Sequence, residues 1–312
     1  MFLNPIYQFL QKQGHAILDG GLATELEGRG FDLADSLWSA RLLIENPAAI
    51  AAVHSDYLAA GADVIITATY QATIQGLIAR GLSRVASAEL LQSAITLALN
   101  ARNQFWQTTS DKRLRPLVAA SVGPYGAYLA NGAEYTGAYD LDRAGLVDFH
   151  RERWELLANS GADLLACETI PSFVETQALL DLLHTTPDHA AWISFSCRNG
   201  QQISDGTPIA ACARLLEHET QVVAIGINCT RPEFVPSLIG QLREVTAKPI
   251  VVYPNSGEGW DAVNKCWVGQ EGDSAEIYAN DAQQWQTLGA TLIGGCCRTT
   301  PNHIRRIRAV LC

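Results

Sequence analysis

The amino-acid sequence predicts a single α/β domain folded as a (β/α)8 TIM barrel. Three observations predict it: eight short apolar runs, amphipathic segments between them, and a chain of 312 residues without a linker or a break in composition. Barrels of this type often exceed the usual length of one domain, so we assign the whole range 1–312 to one barrel domain. A doubly wound sheet is less favoured, because it usually has fewer strands per domain.

The apolar runs are short, and each is closed by Gly, Asn, Pro or an ionisable residue. Strands that are apolar on both faces are typical of parallel sheets covered by helices. The carboxyl ends of such strands are therefore expected at one mouth of the barrel. The eight runs begin at His15, Ala62, Arg115, Ala162, Ala190, Gln221, Lys248 and Ala290.

The segments between the runs show helical patterns. The segment SAELLQSAITLALNARNQFW, which begins at Ser87, is the clearest amphipathic helix. Pro47 is a favourable first residue for another helix, and Gly61 is placed to cap its end. The segment HRERWELLANSGAD repeats that ending at Gly161. After the seventh run, the polar, glycine-rich residues 257–274 predict a long loop over the barrel mouth.

The composition excludes several classes of protein. Hydrophobic residues make up 48% of the chain and charged residues 17%, which favours a sizeable core over disorder. A net charge of −10 disfavours nucleic-acid binding and favours a small cationic substrate. No apolar run approaches the ~20 residues that span a bilayer, and residues 1–14 lack the pattern of a secretion signal. We therefore expect a cytoplasmic protein without membrane contact, as a monomer or weak homo-oligomer.

Three of the eight cysteines are expected at the same barrel mouth. Cys229 ends the sixth predicted strand, and Cys296 and Cys297 end the eighth. Neighbouring residues on a regular strand point to opposite faces, but Gly294 and Gly295 give the backbone freedom to turn both thiols towards one ion. Three thiolates with one open position predict a catalytic zinc site.

Other interpretations of these cysteines stay open from the residues alone. The pair at the end of the eighth strand is compatible with a vicinal disulfide, a redox-sensing pair or simple packing. A fourth ligand, Cys197 or His303, would make a zinc site structural. Lone cysteines are most often small buried hydrophobes, and we interpret the others in this way. They are Cys167, Cys197, Cys212, Cys266 and Cys312.

Several motifs resemble those of the homocysteine S-methyltransferase family. GINC, YPNSGE and GGCCRTTP occur in the family's order, and LDGGLATELEGRG, ADSLW, ITATYQAT, SVGPYGAYLANGAEYTGAY, ACETIP and SDGTP resemble bacterial and plant members that use S-methylmethionine. The resemblance covers about Leu18 to Pro301. It implies that Cys229, Cys296 and Cys297 bind Zn2+, which homocysteine joins through its sulfur. A methyl group from S-methylmethionine, or less well from S-adenosylmethionine, would then form methionine.

The barrel must also hold the amino-acid end of homocysteine. The resemblance suggests that Glu168 contacts the ammonium and that Asp19 lies at the edge of the same pocket. Backbone amides around Gly20 and Gly21 would bind the carboxylate. From the residues alone, either acid is also compatible with a helix cap or a solvated loop.

Two asparagines close predicted strands near the cysteines. Asn228 directly precedes Cys229, and Asn255 lies in the YPNSG turn after the seventh strand. We assign both to substrate binding; bracing of the metal loop is an alternative role for Asn255. Turn formation is the alternative for both residues.

The segment after the third strand predicts a lid for the methyl donor. A sulfonium is a soft cation, and aromatic faces and acidic surroundings hold cations. Glu134 lies among several tyrosines there, and Trp38 is a further candidate. Ordinary loop packing is the alternative. The tyrosines are Tyr125, Tyr128, Tyr135 and Tyr139, with Tyr125 and Tyr128 as the candidate donor contacts.

Competing functions follow from the same features. Betaine-using members of the family look longer, and a folate-linked donor implies a barrel within a much larger protein, so we favour both less than a sulfonium donor. A barrel whose thiols form a structural zinc site or a redox sensor is the alternative from outside the enzyme class. Binding of zinc and its response to homocysteine would distinguish these functions.

Overall fold

Eight parallel strands form the barrel wall in the computed structural model, which describes residues 4–33, 41–110, 113–257, 259–261, 266–268 and 274–312. Each predicted apolar run contains one strand, so the (β/α)8 prediction is confirmed. The strands are β1 (Ala16–Ile17), β2 (Val64–Ile66), β3 (Leu117–Val122), β4 (Leu164–Ile170), β5 (Ala191–Phe195), β6 (Val222–Asn228), β7 (Ile250–Tyr253) and, after a hairpin described below, β10 (Ala290–Ile293).

The order of the strands closes the ring. Neighbours follow the sequence from β2 to β7, after which β10 pairs with β7 and β1 pairs with β10. The two ends of the sheet meet at a parallel bridge between Leu18 and Val64. Asp19 N–H also donates to the Val64 carbonyl oxygen at 3.0 Å. The carboxyl ends of all eight strands therefore face one mouth.

Helices cover the outside of the barrel, and none in the described ranges has both the length and the apolar character to cross a membrane. They are α1 (Tyr7–Gln13), α2 (Leu22–Gly28), α3 (Leu42–Glu45), α4 (Pro47–Ala60), α5 (Ile74–Ala79), α6 (Arg84–Thr109), α7 (Tyr125–Leu129), α8 (Arg143–Ala158), α9 (Phe173–His184), α10 (Ile209–Leu216), α11 (Val235–Arg243), α12 (Ala275–Thr287) and α13 (Pro301–Leu311). Short 3-10 turns occur at Ala133–Tyr135 and Pro232–Phe234.

The helix ends agree with the predicted caps in one case and differ in the other. Helix α4 begins at Pro47 and is followed by Gly61, whose φ of 122° only glycine adopts without strain. Helix α8 ends earlier than predicted, because Asn159 caps it through donation from its Nδ2 to the Glu155 carbonyl oxygen at 2.8 Å. Gly161 instead forms the turn into β4, with φ 89°.

The interior of the barrel is filled at the amino ends of the strands. Trp192, near the start of β5, packs inside the ring, and its Nε1–H donates at 3.0 Å to Oη of Tyr253, which ends β7 and lines the cavity described below. Ile6 and Phe9, from the segment that opens the chain, join the same buried cluster. Because side chains fill this end, the open space lies at the carboxyl ends, where barrel enzymes place their sites.

The long segment after β7 contains structure that the sequence pattern does not predict. Residues Gly259–Asp261 (β8) and Cys266–Val268 (β9) form an antiparallel two-stranded ladder in which Trp260 is opposite Trp267. Each strand has only three residues, which is too short for a recognisable alternation of polar and apolar residues. The predicted long loop is therefore partly a hairpin, and the rest of it lies outside the described residues.

Candidate metal centre and substrate cavity

A cavity of about 420 Å³ opens at the carboxyl ends of the barrel strands. Its walls come from the turns after β1, β2, β4, β6 and β10 and from the segment that follows β3. Residues from widely separated parts of the sequence thus share one chamber. Of the predicted site residues, the lining includes Asp19, Gly20, Gly21, Glu134, Glu168, Asn228, Cys229, Cys296 and Cys297.

Breaks in two strands bring the three cysteines together. Cys229 directly follows β6 and has φ 45°, the left-handed conformation, so the chain turns sharply there. Cys296 and Cys297 follow β10 after two glycines, as predicted. A Cβ on Gly294 would lie 2.6 Å from Leu18 Cβ, so only glycine allows this turn to approach the start of the barrel.

The sulfur atoms form a compact triangle. All three Sγ atoms lie within 4.8 Å of one another. Cys297 Sγ lies 3.9 Å from Cys229 Sγ and 3.9 Å from Cys296 Sγ, and the Cys229 and Cys296 sulfurs are in direct contact as a disulfide. Tetrahedral zinc with Zn–S bonds of 2.3 Å separates its sulfur ligands by about 3.8 Å, so two sides of the triangle already suit one ion. Reduction of the disulfide would allow the Cys229 and Cys296 sulfurs to separate to the same spacing.

The electrostatics of the cavity favour a cation. Burial, together with the charges of Glu27, Glu168 and Glu134, raises the pKa of Cys297 to about 12. A thiol in these surroundings stays protonated unless a cation offsets the cost of ionisation. Among the described residues, no Lys, Arg or His lines the cavity, and its carboxylates are Asp19, Glu27, Asp32, Glu134 and Glu168.

Two buried carboxyl groups, one after β1 and one within β4, face the cavity. Glu168, within β4, accepts a hydrogen bond from Ser121 Oγ, and burial raises its pKa to about 7 although Ser121 and Tyr253 donate to it. Asp19 Oδ2 accepts from Ile66 N–H at 2.7 Å. Burial also raises the pKa of Asp19 well above its usual range, and the nearby Glu168 charge adds to this effect. A ligand cation between them would favour both ionised forms.

The two glycines after β1 differ in what their amides can bind. Gly21 N–H donates to Thr299, at 3.2 Å to the carbonyl oxygen and 3.1 Å to Oγ1. Gly20 N–H donates to no residue in the described part of the chain. The structure thus leaves the amide of Gly20 for a ligand, whereas that of Gly21 is used within the protein.

Asn228 lines the cavity, but most of the hydrogen-bonding capacity of its side-chain amide is used within the protein. Its Oδ1 accepts from Thr169 N–H at 2.7 Å and from Ser194 Oγ at 2.8 Å, and its Nδ2 donates to Thr169 Oγ1 at 2.7 Å. Thr169 has φ 59°, a left-handed conformation that costs free energy in a β-branched residue. Asn228 therefore joins the ends of β4 and β6 and holds Thr169 in place.

Asn255 lies behind the metal loops and not in the cavity lining. Its N–H donates to the Thr230 carbonyl oxygen at 3.1 Å, and the next residue, Ser256, donates from N–H to the Cys297 carbonyl oxygen at 3.1 Å. The turn after β7 thereby connects the two cysteine segments. This position agrees with the bracing role predicted for Asn255 and gives no direct contact with the cavity.

The structure places Tyr125 and Tyr128 outside the cavity lining. Both lie on α7, and their rings pack against Phe149 with centroid distances of 4.8 and 5.3 Å. Tyr139 joins this cluster at 5.4 Å from Tyr125. The structure therefore places the rings of Tyr125 and Tyr128 against Phe149 on α8 and not in the cavity lining. Trp38 lies outside the described residues.

Other aromatic residues line the cavity instead. Tyr135, which belongs to the predicted tyrosine cluster, is among them with Glu134. Tyr70 and Gln71 also line the cavity; their position directly after β2, within ITATYQ, predicts a place at the barrel mouth but no particular role. Burial raises the pKa of Glu134, and its Oε2 has no partner within the described residues.

Comparison with known proteins agrees with this architecture. A family model described as homocysteine S-methyltransferase matches residues 16–311. Homocysteine S-methyltransferase YbgG of Bacillus subtilis is 50% identical over 309 residues, covering 98% of both chains. The chain belongs to the homocysteine S-methyltransferase family. Solved structures of the Escherichia coli homocysteine methyltransferase MmuM match with 47% identity, covering 98% of this chain and 99% of that one. Their TM-scores are 0.90 for the oxidized form and 0.89 for the metallated form.

For this member of the family, the described residues contain no fourth protein ligand beside the three thiols. Cys197 is not part of the cluster, and its Sγ lies 3.9 Å from the Phe195 carbonyl oxygen. His303 Nδ1 accepts from Thr300 N–H at 3.1 Å and completes the cap of α13. The three thiols alone therefore form a group that could hold a metal ion, and such a site would leave a position for a substrate atom.

Proposed function

We propose that the protein transfers a methyl group from S-methylmethionine to the thiolate of homocysteine, forming methionine, with zinc held by Cys229, Cys296 and Cys297. The observation that carries this proposal is the cluster of three thiols in an acidic cavity at the mouth of the barrel. S-Adenosylmethionine is proposed as a poorer donor. Cytoplasmic location, a monomeric or weakly oligomeric state and one domain over 1–312 stay predictions.

Zinc is the metal that the donor set favours. Three cysteine sulfurs are soft ligands, which select zinc over magnesium, calcium or manganese, and catalytic zinc sites usually combine three protein ligands with one open position. When bound, zinc keeps the sulfur of homocysteine ionised at neutral pH, where a free thiol with a pKa near ~8.5 is mostly protonated.

Glu168 and Asp19 are proposed to hold the ammonium group of homocysteine. Both carboxyl groups are buried in the cavity wall, and this burial raises the pKa of each. An ammonium ion relieves the cost of two neighbouring charges, so binding should pull both groups to the ionised form. Gly20 N–H is proposed as a donor to the substrate carboxylate.

A pH dependence follows from the pKa of about 7 at Glu168. Homocysteine needs the ionised carboxylate, so its affinity should be fully present above pH 7 and fall as protonation proceeds below it. Ionisation of the substrate thiol also varies with pH. The difference between the parent and Glu168→Gln isolates the contribution of Glu168. At pH 8 the homocysteine KM of Glu168→Gln should exceed that of the parent by a large factor. This factor, the KM of the variant divided by that of the parent, should be several-fold smaller at pH 6, and an unchanged factor would contradict the assignment.

The transfer itself requires little acid–base chemistry from the protein. The homocysteine sulfur attacks the methyl carbon in line with the breaking carbon–sulfur bond, and the electron pair of that bond stays on the departing sulfur. The leaving group is a neutral thioether, so it needs no proton. The residues around the cavity therefore act by aligning two substrates and by excluding water.

Glu134, Tyr135 and Tyr70 are proposed to surround the sulfonium donor. All three line the cavity, and Glu134 brings a carboxylate without a partner of its own at Oε2. A sulfonium is held by aromatic faces and negative charge, whereas betaine carries a carboxylate that this acidic wall would repel. Methionine formation measured with S-methylmethionine, S-adenosylmethionine and betaine in parallel tests the reaction and the donor together. Faster turnover with betaine would contradict the proposed donor.

Glu134→Gln should raise the KM of the sulfonium donor by about tenfold, because it removes a buried charge that faces the donor. The KM of homocysteine and the zinc content should stay at parental values. Glu155→Gln is a matched control, since Glu155 is an exposed residue on α8 far from the cavity lining. An unchanged donor KM in Glu134→Gln would remove this residue from the donor site.

A redox role is the second candidate, and the direct contact between the Cys229 and Cys296 sulfurs favours it. X-ray absorption at the zinc edge separates the two functions. A catalytic site should show three sulfurs and one light atom in the free protein and four sulfurs with homocysteine. A structural zinc site would not respond to homocysteine, and a thiol sensor would hold little zinc after purification under reducing conditions.

A further inference from the structure

A fully buried polar network lies outside the cavity, between α8 and α9. Its members are His150, Arg153 and Glu175, whose exposed fractions are 0%, 1% and 0%. None of them lines the cavity. Buried ionisable groups cost free energy unless they are paired, so this network needs an explanation beyond packing.

The hydrogen bonds fix the direction of the network. Arg153 Nη2 donates to His150 Nδ1 at 2.8 Å, so the proton of the imidazole is on Nε2. His150 Nε2 then donates to Glu175 Oε1 at 2.8 Å. Burial lowers the pKa of His150, in agreement with a neutral ring. The positive guanidinium of Arg153 thus compensates the carboxylate of Glu175 through His150.

The same carboxylate binds two distant points of one segment. Tyr125 N–H donates to Glu175 Oε1 at 2.6 Å, and the hydroxyl of Tyr139 donates to Glu175 Oε2 at 2.9 Å. These residues begin and end the stretch 125–139, which we call the donor segment. The buried carboxylate of Glu175 therefore binds both the first and the last residue of this segment.

The donor segment is the part of the chain that brings Glu134 and Tyr135 to the cavity. Its two halves pack as one unit, because a Cβ on Gly126 would lie 2.6 Å from the Ala133 carbonyl carbon. The base of the segment is also fixed, since Arg153 Nη2 donates to the Gly123 carbonyl oxygen at 2.6 Å. A shift at either end would move the residues that face the donor.

We propose that Glu175 is a positioning residue for the methyl donor: it holds both ends of the donor segment, so that Glu134 and Tyr135 keep their places in the cavity. This inference rests on the proposed function. A carboxylate suits the task because it accepts all of these hydrogen bonds and donates none, whereas an amide of the same shape presents a donor to one partner. The residues proposed to bind homocysteine and the metal lie after β1, within β4 and after β6 and β10, outside the segment 125–139.

Tyr139→Phe is the mildest test, because it removes one hydroxyl and leaves the charges of the network paired. We expect the donor KM to rise about three- to tenfold, the range set by loss of one hydrogen bond to a charged group. The homocysteine KM and zinc content should stay unchanged. Hydrogen–deuterium exchange should become faster in residues 125–139 and stay at parental rates in the barrel strands.

Glu175→Gln should change the same quantities in the same direction and by more, about tenfold or greater, because the charge of Arg153 then lacks its partner. Because this unpaired charge also destabilises the fold, the Tyr139→Phe variant decides whether the proposal holds. Matched controls are Tyr7→Phe and Glu155→Gln, in which exposed residues undergo the same chemical changes. Both controls should have parental donor KM and exchange rates.

Two results would overturn the proposal: parental donor KM in Tyr139→Phe, or equal increases in the KM values of donor and homocysteine. The second result would indicate a general structural role. If the parent protein transfers no methyl group at all, the proposed function fails. The exchange measurement still tests whether Glu175 holds the donor segment, and parental exchange in both variants would overturn that part as well.

Discussion

Replacement of Cys229, Cys296 or Cys297 by serine is expected to remove the metal and nearly all methyl transfer. A hydroxyl does not supply a soft anionic ligand at neutral pH, so metal affinity should fall by more than about a hundredfold in each variant. Turnover should fall by at least about a hundredfold, because both ionisation and placement of the substrate sulfur are lost. Zinc content by mass spectrometry and methionine formation provide the measurements.

The matched control for this experiment is Cys312→Ser. Cys312, which the sequence predicted to be buried, is instead exposed directly after α13, because the chain ends there on the surface; serine at this position should leave zinc and turnover at parental values. All proteins should be purified under reducing conditions, because Cys229 and Cys296 are in contact and oxidation would by itself displace the metal. Full zinc occupancy with normal turnover in any of the three ligand variants would refute the assignment.

Glu168→Gln is expected to raise the Kd of homocysteine by about 10- to 100-fold, since it keeps the shape of the side chain and deletes the charge proposed to face the ammonium. Zinc content should not change, because Glu168 is not one of the sulfur ligands. Isothermal titration with homocysteine, and metal analysis of the same samples, provide the measurements.

The control for Glu168 addresses fold stability. Ser121 and Tyr253 donate to the carboxylate, so glutamine changes these bonds as well as the charge. A thermal unfolding midpoint close to that of the parent would show that the barrel is intact. With the barrel intact, equal homocysteine affinity in the two proteins would assign Glu168 to a structural role.

Local patterns in the sequence predicted most of the fold. Each barrel strand lies within an apolar run that was visible from composition and from its closing residues. Strand ends then identified Cys229, Cys296, Cys297 and Glu168, because parallel strands in a barrel bring their carboxyl ends together whatever their separation in sequence. The resemblance to the methyltransferase family added the chemistry of the substrates.

Tertiary structure decided which side chains of a loop face the cavity. The sequence singled out Tyr125 and Tyr128 within the tyrosine cluster, but both rings pack against Phe149, whereas Tyr135 lies in the cavity lining. The orientation of a loop residue depends on contacts with elements distant in sequence, and no local periodicity encodes them.

The same limit applies to the groups that support the site. The sequence by itself determined the strands, the cluster of three thiols and the main carboxyl groups of the cavity, because these depend on residue type and on position at a strand end. Only the tertiary structure revealed that the amide of Gly21 is used by Thr299 and that Glu175 holds the donor segment. Hydrogen-bond partners are set by three-dimensional packing, since each donor can be satisfied by many acceptors along the chain.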